Sequence, residues 1–145
     1  MPRIKIDLPG SFIFSTQIPV RITDLNYGAH LGNDALLGII HEIRMQFLQH
    51  LGYKSELDVA GTSLIMADSA IVYKSEGFYG DIIIAEVAAM DISKYGFDLV
   101  YRLSNQQTGK EIALAKTGMV CFNYQTRKVA PMPDALKHQF ETKRP

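Results

Sequence analysis

The sequence predicts an α+β protein in which one long central helix is wrapped by an antiparallel sheet of about five strands. Two patterns predict it: an amphipathic helical seam through residues 34–51, and strand-like alternation on both sides of it, once before the helix and four times after. At 145 residues, 47% hydrophobic and 21% charged, the chain suits one domain, 1–145, with a proper core. It contains no repeat, low-complexity tract or linker.

In SFIFSTQIPVRI, 11–22, Phe12, Phe14, Ile18, Val20 and Ile22 recur at period two, which reads as a strand. Pro19 has no N–H to give to a ladder, so the strand belongs at a sheet edge or carries a bulge. A polar stretch, DLNYGAHLGND, follows. Beyond it, Leu36, Ile40, Ile43, Phe47 and Leu51 form the seam of a mostly buried helix, widened by Leu37, Ile39 and Leu48. Asn33 suits the N-cap, Asp34 the first turn and Gly52 the stop, giving a rod of roughly 27 Å.

Four strands are expected at 63–73, 81–92, 96–105 and 111–124, separated by the turn signals SEGFYGD, SKYG and NQQTGK. In the last of them, Ala113, Ala115 and Thr117 make a small-residue face against which a helix can close, with Leu114, Val120 and Phe122 on the other. A short helix at about 133–141 follows APMPD. The four strands read as consecutive antiparallel neighbours. Their second face is apolar with nothing in the chain to cover it, which predicts a homodimer or homotetramer.

Composition narrows the function. Lys plus Arg equals Asp plus Glu at 15 each, which argues against nucleic acid or an anionic membrane as partner but leaves room for a small anionic ligand. Cys121 is alone, so no intrachain disulfide forms, and in GMVCFNY it reads as a small buried hydrophobe rather than a catalytic thiol. MPRIKIDLPG lacks the apolar core of a signal peptide, and no run nears the ~20 apolar residues of a membrane span, so a cytoplasmic location is expected. No phosphate-binding glycine loop, metal-ligand spacing of His or Cys, or Gly-x-Ser-x-Gly elbow occurs, and neither cofactor nor metal is expected.

The stretch from Asp24 to Asp34 is the candidate site. Turn chemistry alone accounts for its glycines and asparagines, for Asn33 as a cap and for Asp24 as an acceptor of loop amides. It does not require His30. Histidine is the side chain that titrates near neutrality and serves as general base or donor. Asn26 is not basic but can orient water or bind a carbonyl. A backbone N–H near Asn33, at the start of a long helix, carries partial positive charge suited to an oxyanion. Glu42 lies off the apolar seam, and two readings stand: it pairs with a cation across an oligomer, or it takes part in the chemistry. Arg44, flanked by apolar positions, snorkels or pairs. Asp68 and Ser69 interrupt SLIMADSAIVY and face a pocket or an interface. Lys74 and Lys94 lie in turns where each can meet a phosphate as a point charge.

With these elements in order, the chain resembles hotdog-fold proteins of the acyl-CoA and acyl-ACP thioesterase superfamily over nearly its whole length. The most specific portion is DLNYGAHLGNDALLGIIHEIRMQFLQHLGY. Asp24 and Asn26 fall on the family's Asp-x-Asp, His30-Leu31-Gly32-Asn33 on its His-Val-Asn-Asn, and His41-Glu42-Ile43-Arg44 on its Glu-Glu-Ala-Arg. FYGD and YQTRKVAPMP also resemble family turns. Three departures are evident. Asn26 replaces the aspartate that serves many family enzymes as nucleophile or base. Gly28 stands where plant-type acyl-ACP thioesterases have asparagine. Leu36 replaces the aromatic near the helix start.

The resemblance implies hydrolysis of an acyl-CoA or acyl-ACP thioester, without cofactor, in an oligomer. His30, Asn26 and Asp24 would do the chemistry, while Asn33, Gly28 and Glu42 contact substrate. Because Asn26 cannot accept a proton, the base is His30 or a carboxylate reaching in, with Asp24, Asp34 and Glu42 as candidates. One alternative is a non-catalytic acyl-thioester-binding protein of the same fold. Another is an enoyl-CoA hydratase or dehydratase, which the spacing disfavours, since related hydratases place their aspartate one residue closer to the histidine than Asp24 is to His30.

Overall fold

Period-two alternation and the helical seam become structure close to where the sequence places them. The computed structural model describes residues 3–142, so both ends of the expected 1–145 domain lie outside the described residues. In chain order the elements are β1 (Phe14–Pro19), a 3-10 turn (Ile22–Asp24), α1 (Asn33–His50), β2 (Ser63–Tyr73), β3 (Ile82–Met90), β4 (Gly96–Asn105), β5 (Glu111–Asn123), β6 (Lys128–Val129) and α2 (Asp134–Thr142). β6 is a two-residue addition to the expected five strands.

All pairings are antiparallel, in the order β1-β3-β4-β5-β2, with β6 on β5. β1 is an edge, one of the two settings that Pro19 allows. The expectation of four consecutive neighbours is corrected at β2, which pairs with β5 at the far edge rather than with β3. Only β3, β4 and β5 form a meander. The cause lies in α1, which fills the sheet's inner face and places β1 and β2 on opposite sides of that meander.

The inner face carries Ile83, Ala85 and Val87 from β3, Leu99, Tyr101 and Leu103 from β4, and Ala113, Ala115, Met119 and Cys121 from β5, all buried in one cluster with Ile40, Ile43 and Phe47 of α1. Alanines along β5 let the helix approach closely. A polar contact at this depth is satisfied: the Tyr101 hydroxyl and Thr117 Oγ1 lie 2.8 Å apart. Burial pushes the Tyr101 phenol above its ordinary pKa. Arg44 is also buried and pairs through Nε with Glu56 Oε1 at 3.3 Å, an oxygen that also meets His41 Nε2 at 3.0 Å. α2 closes one end of the core, where Phe140 lies between Phe47 and Phe97 with ring centroids 6.0 and 4.8 Å away.

Three further expectations change. β1 ends at Pro19, and Ile22 turns outward in the 3-10 turn, 65% exposed. The N-cap of α1 is Gly32, and Asn33 is the first helical residue. The Gly32 N–H is already given to the Asp24 carbonyl at 2.9 Å, which fixes Gly32 in extended geometry just ahead of the helix. The outer sheet face is less apolar than alternation alone suggests. Ala88, Val100 and Leu114 point there but are already buried, and ion pairs Glu86–Arg102 and Asp68–Lys116 take much of the rest. Asp68 reaches that face because the β2 register shifts between Met66 and Asp68. Among the described residues no helix is long and apolar enough to cross a membrane.

Candidate active site

The stretch between β1 and α1 folds as a small closed loop. Leu25 and Leu31 bridge at its base, the Asn26 N–H donates to the His30 carbonyl at 2.9 Å, and Ala29 N–H to the Asn26 carbonyl at 3.1 Å. Ala29 holds a left-handed φ of 64°, which costs about 1 kcal/mol for a non-glycine residue and tightens the turn under His30. Asn26 Oδ1 accepts the Gly28 N–H at 2.8 Å, so the carboxamide presents its NH2 as the free donor. Gly28 is constrained by space: a Cβ there would stand 3.1 Å from His30 Nε2 and 3.2 Å from Asn26 Oδ1. These three predicted residues are brought together.

Asp24 anchors the loop. Its carboxylate is buried and accepts from Arg21 three times: from N at 2.9 Å, Nε at 3.3 Å and Nη2 at 3.2 Å. The bond raises the Arg21 guanidinium further above its already high pKa. Through the Asp24 carbonyl, which holds Gly32, this anchor sets the position of the first turn of α1. The opening N–H groups of that turn have no intrahelical acceptor, and the helix dipole adds partial positive charge there.

His30, Leu31, Asn33 and Leu36 form one wall of a cleft of about 250 Å³, and Tyr73, Lys74, Ser75, Glu76, Gly77 and Ile112 form the other. The second wall is fastened to the first: the Leu31 N–H donates to the Gly77 carbonyl at 2.7 Å, and a Cβ on Gly77 would press on Leu31 at 3.2 Å. The cleft is apolar at Leu31, Leu36 and Ile112 and polar where His30 and the helix start face Lys74 and Glu76. Such an arrangement can seat an acyl group beside a carbonyl-polarising N–H and a proton-transfer group.

The family model of the thioesterase-like superfamily matches residues 20–140, and so spans the loop, the cleft and the sheet. The chain belongs to this superfamily. It is 25% identical over 126 residues to a 1,4-dihydroxy-2-naphthoyl-CoA hydrolase of Synechocystis sp., covering 86% of this chain and 90% of that relative. The crystal structure of a 1,4-dihydroxy-2-naphthoyl-CoA thioesterase from Synechocystis superposes with a TM-score of 0.80 at 20% identity, covering 92% of this chain and 97% of that one. A thioesterase-superfamily structure from Jannaschia sp. gives 0.81 at 17% identity, covering 93% and 85%. A gentisyl-coenzyme A thioesterase gives 0.77 at 18% identity, covering 88% and 99%. The shared architecture is the hotdog fold.

Within that superfamily frame the remaining predicted residues fall elsewhere. Glu42 is exposed on α1, accepting from Gln46 Nε2 at 2.9 Å, and is not among the residues lining the cleft. Asp34 turns its Oδ1 back to 2.8 Å from the Cβ position of Gly32. Lys94 lies over the Tyr95 ring at 5.3 Å, away from the cleft that Lys74 lines. The anchoring Arg21 and the wall residues Tyr73, Glu76 and Ile112 escaped the sequence reading. Only for Arg21 was there a local signal, its position three residues before a carboxylate.

Proposed function

We propose that the protein hydrolyses acyl-CoA thioesters in the cleft between the α1 N-terminus and the β2–β3 connection. The observation that carries this reading is that His30 and Asn33, at the first helical position, line the same cleft. A thioester carbonyl directed at the helix start meets N–H groups aligned for the oxyanion of the tetrahedral intermediate. His30 handles the proton, and Asn26, which does not itself line the cleft, holds the turn under His30 through the Gly28 N–H. Asp24 acts through the loop it anchors. Lys74 at the cleft mouth suits a phosphate of the CoA carrier. CoA rather than carrier protein is favoured by the names of the relatives. The working form is a homodimer or larger, supported by exposed Leu37, Met66 and Tyr73.

The test is thiol release from short, long and aromatic acyl-CoAs by the protein and by His30→Ala. Turnover should fall by about 10²-fold or more in the variant with its melting temperature unchanged. Normal hydrolysis by the variant would remove His30 from the mechanism. A second reading, a non-catalytic acyl-thioester-binding protein, is favoured by Asn26 at the position of the usual acid. It predicts that CoA esters raise the melting temperature without any thiol release.

A further inference from the structure

The loop that should supply an acid has none to offer the cleft. Asn26 is not basic, and its Oδ1 is held by the Gly28 N–H. Asp24 is buried under Arg21, Asp34 folds toward Gly32, and Glu42 stands on the helix bonded to Gln46. Among the residues that line the cleft there is one carboxylate, Glu76. It comes from the opposite wall, and the backbone on both sides of it is held. The neighbouring Gly77 carbonyl is bonded to the N–H of Leu31, the residue after His30, and Gly77 packs so close to the Leu31 side chain that a Cβ at 77 would stand 3.2 Å from it. Lys74 N–H and Ser75 N–H both donate to the Ile112 carbonyl, and Ser75 Oγ donates to the Glu111 carbonyl at 2.6 Å, so the backbone that leads to Glu76 is tied down. Glu76 itself is exposed and belongs to no ion pair among the described residues, so its carboxylate is available to a bound water.

We propose that Glu76 is the general base of the cleft, supplying from the β2–β3 connection the carboxylate that Asn26 does not supply from the loop. The inference rests on the thioesterase reading. Water positioned between His30 and Glu76 attacks the thioester carbonyl. As its oxygen bonds to that carbon, one of its protons passes to the Glu76 carboxylate and the carbonyl π pair moves to the oxyanion at the helix start. Collapse breaks the C–S bond, and the sulfur leaves with the bonding pair and takes its proton from His30 or from solvent. Both water protons are accounted for: one on Glu76, the other in the carboxylic acid that then ionises.

The experiment compares the protein with Glu76→Gln and Glu76→Asp on the best acyl-CoA of the panel, in water and with added hydroxylamine. Hydroxylamine is a neutral nucleophile and needs no base to attack. Glu76→Gln should lose hydrolysis by about 10²-fold in kcat, with KM changed less than about threefold and the melting temperature unchanged. It should keep hydroxamate formation near that of the unaltered protein, and Glu76→Asp should recover part of the hydrolysis. Hydrolysis by Glu76→Gln at the normal rate overturns the assignment while leaving the thioesterase reading intact. Equal loss of hydrolysis and hydroxamate formation also overturns it, because Glu76 would then be shaping or binding rather than removing a proton. Absence of turnover by the unaltered protein overturns both.

Discussion

Asp24 shows that the fold, rather than residue type, decides what a carboxylate is bonded to. A carboxylate beside a histidine loop invites a catalytic reading, yet three donors from Arg21 hold it and its exposure is 5%. Asp24→Ala should therefore cost about 1–3 kcal/mol of stability in urea denaturation, because the Arg21 N–H and guanidinium lose their acceptor and the loop that carries the Asp24 carbonyl to Gly32 loses its anchor. Activity should fall with the stability. His30 was legible because no turn requires it, and Asn26 because a family pattern has an acid there. Arg21 and Glu76 were not, since an exposed arginine or glutamate looks like any other until the fold places its partner. Cys121 behaves as its apolar run predicts: it is fully buried, and burial pushes its thiol above the ordinary pKa. The native protein should not react with a disulfide reagent at neutral pH, while denatured protein should titrate as one thiol per chain. Thiol-release assays can then be read without correction.

At the scale of elements, the contact between α1 and the sheet depends on large side chains from the helix meeting small ones from β5. Phe47 is fully buried between Phe14 and Phe140, and Phe47→Ala should cost about 3–5 kcal/mol, measured by chemical denaturation. β4 and β5 meet closely where β4 begins: a Cβ on Gly96 would lie 2.2 Å from the Met119 carbonyl oxygen. On the outer face, Asp98 titrates above the ordinary carboxylate range, chiefly through desolvation and against the pull of Lys116, with Asp91 adding to the rise. A raised folded pKa means that the folded state holds the proton more tightly than the unfolded chain. The charged form then costs stability once pH exceeds the ordinary value of about 3.9, and the cost is complete above the folded pKa. Asp98→Asn should accordingly raise the melting temperature at pH 7, with the gain vanishing below about pH 3. The helix and the four strands after it were legible because each repeats its pattern several times over. The N-cap was not, because Asn33 and Gly32 are both acceptable caps and only the bond from Gly32 to Asp24 decides between them.

For the whole molecule, the cleft has one wall from the loop before α1 and another from the ends of β2 and β5. No stretch of sequence contains both. The oligomer belongs to this scale too. The apolar surplus foreseen on the outer sheet face is largely covered within the chain, but Leu37, Met66 and Tyr73 remain 46%, 47% and 51% exposed, and the eleven-residue β2 is an edge strand with unpaired backbone groups. Light scattering after gel filtration should give at least about 32 kDa, twice the 16.2 kDa chain. A mass of one chain would remove self-association from the proposed function.

The sequence by itself determined the α+β class, the long buried helix, the strands from 63 onward and the loop that presents His30, because periodicity, caps and turn residues act over a few neighbouring positions. Tertiary structure alone decided that β2 crosses to the far edge, that Asp24 belongs to Arg21, and that Glu76 faces His30's cleft. Those outcomes depend on which surfaces α1 covers and which carbonyl the Leu31 N–H finds, and these are contacts between segments that the linear pattern leaves unpaired.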